Sequence, residues 1–153
     1  MNELKNKTCI PCSEGLEPMT PGDIKKLLEK IPEWEVATDD GISRLQRTFS
    51  FKDFKSAIAF TNKVGELAEA EQHHPKLVTE WGKVTVVWWT HSVKGLHKND
   101  FFMAAKTSEL HADEQLRDLV YTVIPFILSS KSNPSSRELA HEDIYTESQQ
   151  HST

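Results

Sequence analysis

The sequence predicts an α+β fold, a two-layer sandwich in which helices cover one face of a four-stranded antiparallel sheet. Residues 34–51 and 77–91 each read as two strand-like runs with turn residues between them, the pattern of a β-hairpin. Between them, residues 51–72 have the spacing of one long amphipathic helix. Shorter helical segments precede the first hairpin and follow the second. The predicted order is therefore helix, hairpin, helix, hairpin, helix, with a C-terminal extension.

Three segments carry the helical signals. The first helix is predicted to begin at Pro21, with Thr20 as its N-cap, and to be stopped by Pro32. The second is the long one, in which apolar residues recur at steps of three and four. Its stripe consists of Phe54, Ala57, Ile58, Thr61, Val64, Gly65 and Ala68. The third is predicted from about residue 98 to residue 110.

Turn residues define the two hairpins. The run Asp39-Asp40-Gly41 separates two strand-like segments, and Trp81-Gly82 separates a short strand from the β-rich segment KVTVVWWTH, residues 83–91. Side chains alternate along a strand, so Trp89 and His91 are expected on the face opposite to Trp88. The face of the sheet that lacks helices must then meet solvent, a ligand or another subunit.

The chain divides into a polar leader (residues 1–19), a compact domain (20–111) and an extension (112–153). Within the extension, residues 116–128 are apolar enough to dock as a helix that Pro125 ends or kinks. The Ser-rich remainder is predicted to be mobile.

Charge and hydropathy exclude several classes of protein. The formal net charge of −5 argues against a nucleic-acid-binding surface, which needs an excess of Lys and Arg. No run approaches the roughly 20 apolar residues of a membrane span. The N-terminus lacks the apolar centre of a signal peptide, so a cytoplasmic location is expected.

The two cysteines form a single C-x-x-C motif, Cys9 to Cys12, within the leader. A redox pair requires a strand before it and a helix after it, and a structural zinc site requires a second pair of ligands. The motif has neither context, so we interpret it as an inert pair.

The segment EAEQHHP, residues 69–75, contains adjacent histidines at the end of the long helix. Glu69 and His73 are four residues apart, so a helix would place them in contact, with the carboxylate orienting the imidazole. Pro75 favours extended geometry at His74, so the two rings should diverge. His91 is predicted to end the last strand, and hairpin pairing would return it to this corner. Three imidazoles would then converge at one end of the second hairpin.

Simpler interpretations exist for each residue. A pair of histidines at the end of a helix can be a C-terminal cap, where imidazolium suits the helix dipole. His91 can be merely exposed, and Asp100 can be an ordinary carboxylate in the first turn of a helix. Trp88 and Trp89 can be packing residues. The combination, more than any single residue, indicates function.

Three histidines fit two chemistries. They can bind a catalytic zinc with an open fourth position, or they can act without metal as general acids and bases. Free imidazole has a pKa of about 6.5, so both of its forms coexist near neutrality. Adjacent histidines that diverge at a bend are awkward ligands for one ion, which mildly favours acid–base catalysis.

The spacing of these residues resembles the signature of the pterin-4a-carbinolamine dehydratases. Seven positions over 32 residues are in register with it: Glu69, His73, His74, Pro75, Trp81, His91 and Asp100. The likeness extends to the run Trp34-Glu35-Val36 and to the leader, and covers roughly residues 9–110. His97 is a departure, since the family often has Thr or Ser there as the N-cap, so a weaker start of the last helix is expected.

The resemblance implies a hydro-lyase that dehydrates 4a-hydroxytetrahydrobiopterin to quinonoid dihydropterin, in the recycling of tetrahydrobiopterin for aromatic amino acid hydroxylases. It implies an active site without metal or other cofactor. Carried over by position, the acid–base residues are His73, His74 and His91, supported by Glu69 and Asp100. The residues expected to line the pterin are Pro75, Thr90 and Ser92. Trp89, on the open face, is a further candidate for stacking on the pterin or for a subunit contact.

Two other functions remain open at this point. The first is a non-catalytic dimerisation or scaffold role, since animal members of the family also act as dimerisation cofactors of a homeodomain transcription factor. The second is a metal-dependent hydrolase that uses the same three histidines. A homodimer or homotetramer is expected because an open sheet face needs covering, and an aromatic amino acid hydroxylase is a possible partner.

Overall fold

The computed structural model describes residues 3–11 and 16–129, with side chains described as far as residue 123. The α-helices are α1 (Pro21–Leu28), α2 (Phe54–Glu71) and α3 (Lys98–Ser129). The strands are β1 (Glu35–Asp39), β2 (Ile42–Ser50), β3 (Lys76–Glu80) and β4 (Lys83–Trp88). Short 3-10 helices are found at Glu3–Asn6 and His91–Val93.

The four strands form one antiparallel sheet in the order β1-β2-β4-β3. The two hairpins therefore meet in the middle of the sheet, where β2 pairs with β4. Alternation along β4 agrees with the sequence, since Val84, Val86 and Trp88 are fully buried beneath the helices. The predicted α+β fold, with its two hairpins and intervening long helix, is confirmed.

Both hairpins turn on two residues at the predicted positions. Asp39 pairs with Ile42 across Asp40-Gly41, and Glu80 pairs with Lys83 across Trp81-Gly82. Gly41 and Gly82 both have φ of +74°, in the left-handed region that glycine adopts without steric cost.

Replacing Gly82 with alanine is expected to lower the free energy of unfolding by about 1–2 kcal/mol, because a Cβ is disfavoured at positive φ. The new Cβ would also lie 3.2 Å from the main-chain oxygen of Phe51. Gly65 is the matched control: it lies inside α2 with open space around its Cα. Gly65→Ala should raise stability by about 0.5–1 kcal/mol. Urea unfolding of both variants checks this, and equal effects of the same sign would contradict it.

Side-chain caps begin the first two α-helices. The N–H of Asp23 donates to Thr20 Oγ1 at the start of α1, as the sequence predicts. The N–H of Ser56 donates to Asp53 Oδ1 at the start of α2. At its other end, α2 stops at Gln72, whose φ of +52° is left-handed. This residue turns the chain out of the helix immediately before His73.

The third helix differs from the sequence prediction. One continuous helix covers Lys98–Ser129, where a helix at residues 98–110 and a separate docking helix at residues 116–128 were expected. Pro125 does not end it. Two compact units divide after Leu119, and within the first of them Leu116 and Leu119 are exposed, so their predicted docking is wrong. The predicted mobile tail, from residue 130, lies outside the described residues.

The leader contributes to the packed core. Leu4 is buried in the main apolar cluster, and Cys9 and Met19 pack against that cluster. Among residues 3–11 and 16–129, no helix has the length and apolar character needed to span a membrane.

Candidate active site

His73 is a buried imidazole whose position is fixed by the end of α2. Its main-chain N–H donates to Ala68 O at 3.1 Å, so the backbone folds back onto the last helical turn. Its side chain is 5% exposed, and its Nε2 lies 2.6 Å from Oδ1 of Asp100. Asp100 lies in the first turn of α3 and has no exposed surface. The carboxylate therefore holds this ring nitrogen, and Nδ1 is the nitrogen left for other chemistry.

Asp100 connects the two segments that carry the histidines. Its Oδ2 accepts hydrogen bonds from Thr90 Oγ1 at 2.9 Å and from the N–H of His97 at 2.8 Å. Thr90 directly precedes His91, so one carboxylate joins the His73 corner to the chain that follows β4. The Thr90 hydroxyl is buried and engaged by Asp100, and so lies behind the site.

Glu69 pairs with a different histidine from the one that the sequence predicts. Its Oε1 lies 2.6 Å from Nε2 of His74, and both side chains are exposed. Helical spacing predicted a Glu69–His73 contact. The left-handed Gln72 ends the helix one residue before His73, so His73 no longer lies four residues along a continuous helix.

The adjacent histidines diverge, as expected from Pro75. His73 lines a cavity of about 500 Å³ beside the leader, whereas His74 and Pro75 line a more open depression of about 630 Å³ beside α2. The face of the His73 ring stacks on Trp88, with ring centroids 5.7 Å apart and planes at 12°. Trp88 is therefore a packing residue that also fixes an imidazole.

His91 lies beyond the strand that it was predicted to end. β4 stops at Trp88, and His91 begins the 3-10 helix His91–Val93, exposed beside the equally exposed Ser92. The chain leaves the sheet here because Thr90 pairs with Gly95 in a tight loop. The imidazole contacts Trp89 at a centroid distance of 4.5 Å.

Arg44 is a component of this region that the sequence analysis missed. Its guanidinium carbon lies 4.3 Å from the centre of the Trp89 ring, and its Nη1 pairs with Asp39 at 2.8 Å. Leu45 pairs with Trp88 across β2 and β4, which brings Arg44 beside Trp89 on the face without helices. The contact between Arg44 and Trp89 depends on the register between β2 and β4, so no local sequence motif indicates it. Trp89 thus contacts a cation and His91 at once.

A family model described as pterin 4 alpha carbinolamine dehydratase matches residues 17–110. The chain belongs to the pterin-4a-carbinolamine dehydratase family. It is 61% identical over 111 residues to a protein of Chlorobium limicola named "Putative pterin-4-alpha-carbinolamine dehydratase", covering 72% of this chain and 98% of that one. It is 54% identical over 110 residues to a protein of Chlorobaculum tepidum with the same name, covering 72% and 99%.

The fold is also that of a solved member of the family. The crystal structure of a transcriptional coactivator/pterin dehydratase from Brucella melitensis superposes with a TM-score of 0.57 at 29% identity. The match covers 62% of this chain and 99% of that one. The α+β architecture predicted from the residues is thus that of a pterin dehydratase.

His97 begins α3 in this member of the family by an unusual cap. Its Nδ1 accepts the N–H of Asn99 at 3.3 Å, while the Asp100 carboxylate accepts the N–H of His97. This reciprocal pair is a capping box in which an imidazole takes the place of a Ser or Thr hydroxyl. The weaker helix start expected from the sequence is therefore compensated by the ring nitrogen.

Stability is expected to fall as the pH drops below about 6.5, the pKa of histidine in an unfolded chain. Burial lowers the pKa of His97, against the opposing charge of Asp100, and also lowers the pKa of His111. Below pH 6.5 the unfolded state binds protons more readily than the folded state. The stability present above pH 6.5 is therefore lost as the pH falls towards the folded-state pKa of these histidines. Urea unfolding at pH 7.5 and 5.5 checks this. His97→Ser, which keeps a capping oxygen, should reduce the difference, and an undiminished difference would contradict the role of His97.

The described residues contain no cluster of side chains that could bind a metal ion. Within residues 3–11 and 16–129, no three His, Cys, Asp or Glu side chains cluster as they would to hold an ion. Of the C-x-x-C motif, Cys9 is a free, half-buried thiol and Cys12 lies outside the described residues. Burial, with help from Glu71, raises the pKa of the Cys9 thiol to about 12, so this thiol is neutral.

Proposed function

We propose that this protein is a hydro-lyase that converts 4a-hydroxytetrahydrobiopterin to quinonoid dihydropterin and water by histidine acid–base catalysis. The observation that carries the proposal is the buried His73–Asp100 pair at the edge of a cavity of about 500 Å³. A carboxylate that fixes one imidazole nitrogen prepares the other to exchange a proton. The family to which the chain belongs supports the substrate class.

The reaction requires one proton donor and one proton acceptor. The bond between C4a and the hydroxyl oxygen breaks, its electron pair leaves with the oxygen, and a donated proton completes water. The N5–H bond breaks in turn, and its electrons form the new double bond between N5 and C4a. An imidazolium near the hydroxyl and an imidazole near N5 are sufficient, and such catalysis is worth about 10²–10⁴-fold.

We assign these two tasks to His73, His74 and His91 together. His73 is the most constrained of them, because Asp100 holds its Nε2 and Trp88 covers one ring face. His74 is exposed and paired with Glu69, which suits a residue that exchanges protons with water. His91 is supported by Trp89 and is the candidate for binding the pterin or acting as the base.

The proposal also includes residues that support the histidines and residues that contact the pterin. Glu69 and Asp100 orient the imidazoles. The pterin contacts implied by the family are Pro75, Ser92 and Trp89, and none of these three lines the cavity beside His73. Thr90, proposed from the family to line the pterin as well, acts through its hydrogen bond to Asp100. We propose a cytoplasmic homodimer or homotetramer that needs no cofactor and serves tetrahydrobiopterin recycling, with an aromatic amino acid hydroxylase as a possible partner.

The test is a direct dehydratase assay. The 4a-carbinolamine is generated in situ with a phenylalanine hydroxylase, and its decay is followed by absorbance with a chelator present. The wild-type protein should accelerate decay, and His73→Ala, His74→Ala and His91→Ala should remove most of the acceleration. His141→Ala is the matched control, because it lies outside the residues that match the family model.

Each alternative outcome has a distinct meaning. No acceleration by the wild-type protein would refute the activity and leave a scaffold role. Activity that disappears only on chelation would place an ion among the histidines, as in a metal-dependent hydrolase. Activity that survives all three substitutions would refute the assigned residues.

A further inference from the structure

Residues 8–11 of the leader, here called the N-terminal strap, line the His73 cavity and are bound by a buried asparagine. Asn99 accepts the N–H of Ile10 through Oδ1 at 2.9 Å and donates through Nδ2 to Ile10 O at 2.7 Å. Its side-chain amide thus pairs with the strap as a neighbouring strand would. Asn99 has no exposed surface and directly precedes Asp100. The strap is therefore tied to the residue next to the carboxylate that orients His73.

A second attachment comes from the end of α2. The N–H of Cys9 donates to Oε2 of Glu71 at 3.0 Å, and the other oxygen of that carboxylate pairs with Lys106 at 2.9 Å. The Cys9 N–H is the main reason that the pKa of Glu71 lies below its usual range. Two successive strap residues are thus bound by side chains from two different helices. The segment is an ordered part of the domain, although it precedes the residues that match the family model.

The remaining nitrogen of His73 determines where a substrate can lie. Asp100 occupies Nε2 and Trp88 covers one ring face, which leaves Nδ1 and the other face. The cavity that His73 lines is also lined by the four residues of the strap. Its volume of about 500 Å³ falls in the range of small-molecule sites. A ligand that exchanges a proton with His73 would lie in this cavity.

We propose that the N-terminal strap is a wall of the pterin site and sets the affinity for substrate, an inference that rests on the proposed dehydratase function. The N–H groups of Cys9 and Ile10 and the carbonyl of Ile10 are already paired, and the Cys9 thiol is neutral. The strap therefore offers the flat pterin ring an uncharged surface for van der Waals contact. It takes no part in proton transfer, so it should affect KM and leave kcat unchanged.

Replacing a strap residue with a larger one, so that its side chain fills part of the cavity, tests this inference. Thr8 lines the cavity, whereas its neighbour Lys7 lies outside it, and both residues are exposed. Thr8→Trp should raise KM about tenfold with kcat within twofold, because a filled wall weakens ground-state and transition-state binding alike. Lys7→Trp is the matched control and should change neither constant. An unchanged KM in Thr8→Trp, or an equal rise in both variants, would overturn the proposal.

Direct observation of binding separates this inference from the function on which it rests. The full chain, labelled with ¹⁵N, is titrated with 7,8-dihydrobiopterin, and the amide signals of Cys9 and Ile10 are compared with the His73 ring signals. Shifts of both sets with one dissociation constant would support the strap as a wall. Ring shifts without strap shifts would overturn it while the dehydratase proposal stands. Failure of the function itself would appear separately, as no acceleration by wild type in the carbinolamine assay.

Discussion

Replacing Asp100 with asparagine is expected to lower kcat for carbinolamine dehydration by about 10²–10⁴-fold while the chain remains folded. The carboxylate accepts three hydrogen bonds, one from His73 and two from Thr90 and the N–H of His97. Asparagine has nearly the same shape, but only one of its two terminal atoms can accept. The substitution therefore tests hydrogen-bond direction with little change in packing.

The donors and acceptors of these hydrogen bonds determine the tautomer of His73 in Asp100→Asn. Thr90 Oγ1 and the His97 N–H both donate to Oδ2, so the amide oxygen of the introduced asparagine would take that place. The amide nitrogen would then face Nε2 of His73, and since it can only donate, Nε2 must accept. The ring proton moves to Nδ1, which loses the lone pair with which neutral His73 can accept a proton. The imidazole would be correctly placed in the wrong tautomer.

Two measurements separate this mechanism from simple damage to the structure. The ¹⁵N shifts of the His73 ring should exchange their assignment between protonated and unprotonated nitrogen. Asp113→Asn is the matched control for kcat, because Asp113 lies on the exposed surface of the same helix and outside the His73 cavity. A reversed tautomer with unchanged kcat would show that Asp100 does not act through His73.

Most of the fold could be predicted because its signals are local. Each hairpin has a two-residue turn that contains glycine, and the apolar spacing of α2 continues without a break to the left-handed Gln72. The structure extends α3 beyond the predicted end near residue 110, because residues 111–115, polar apart from Ala112, include no helix breaker. Backbone hydrogen bonds of a helix do not require apolar side chains, so the helix continues through this polar stretch.

The membership of the site stays a prediction, and the structure pairs His73 with Asp100 and His74 with Glu69. The Glu69–His73 contact was wrong because it assumed a helical geometry that Gln72, a residue with no special preference for the left-handed region, interrupts. The contact between Arg44 and Trp89 depends on strand register, which appears only after the sheet has formed. The bond between Asn99 and Ile10 spans 89 residues of sequence, and no periodicity predicts it.

Replacing Trp88 with alanine is expected to lower the free energy of unfolding by about 3–5 kcal/mol, the largest stability effect that we predict. Trp88 is fully buried, and its Nε1 donates to Thr107 Oγ1 at 3.2 Å, which links β4 to α3. Truncation to alanine would leave a cavity between the sheet and this helix and remove a buried hydrogen bond.

Trp81→Ala is the matched control, because Trp81 is a tryptophan of the same hairpin and is 75% exposed at the turn before β4. Surface substitutions of this kind usually change stability by no more than about 0.5 kcal/mol. Urea unfolding of both variants measures the contrast. Since the indole also stacks on His73, the Trp88→Ala protein that remains folded should show a lower kcat than Trp88→Phe, which keeps an aromatic face beside the imidazole. Equal kcat in these two variants would mean that Asp100 alone is sufficient to orient His73.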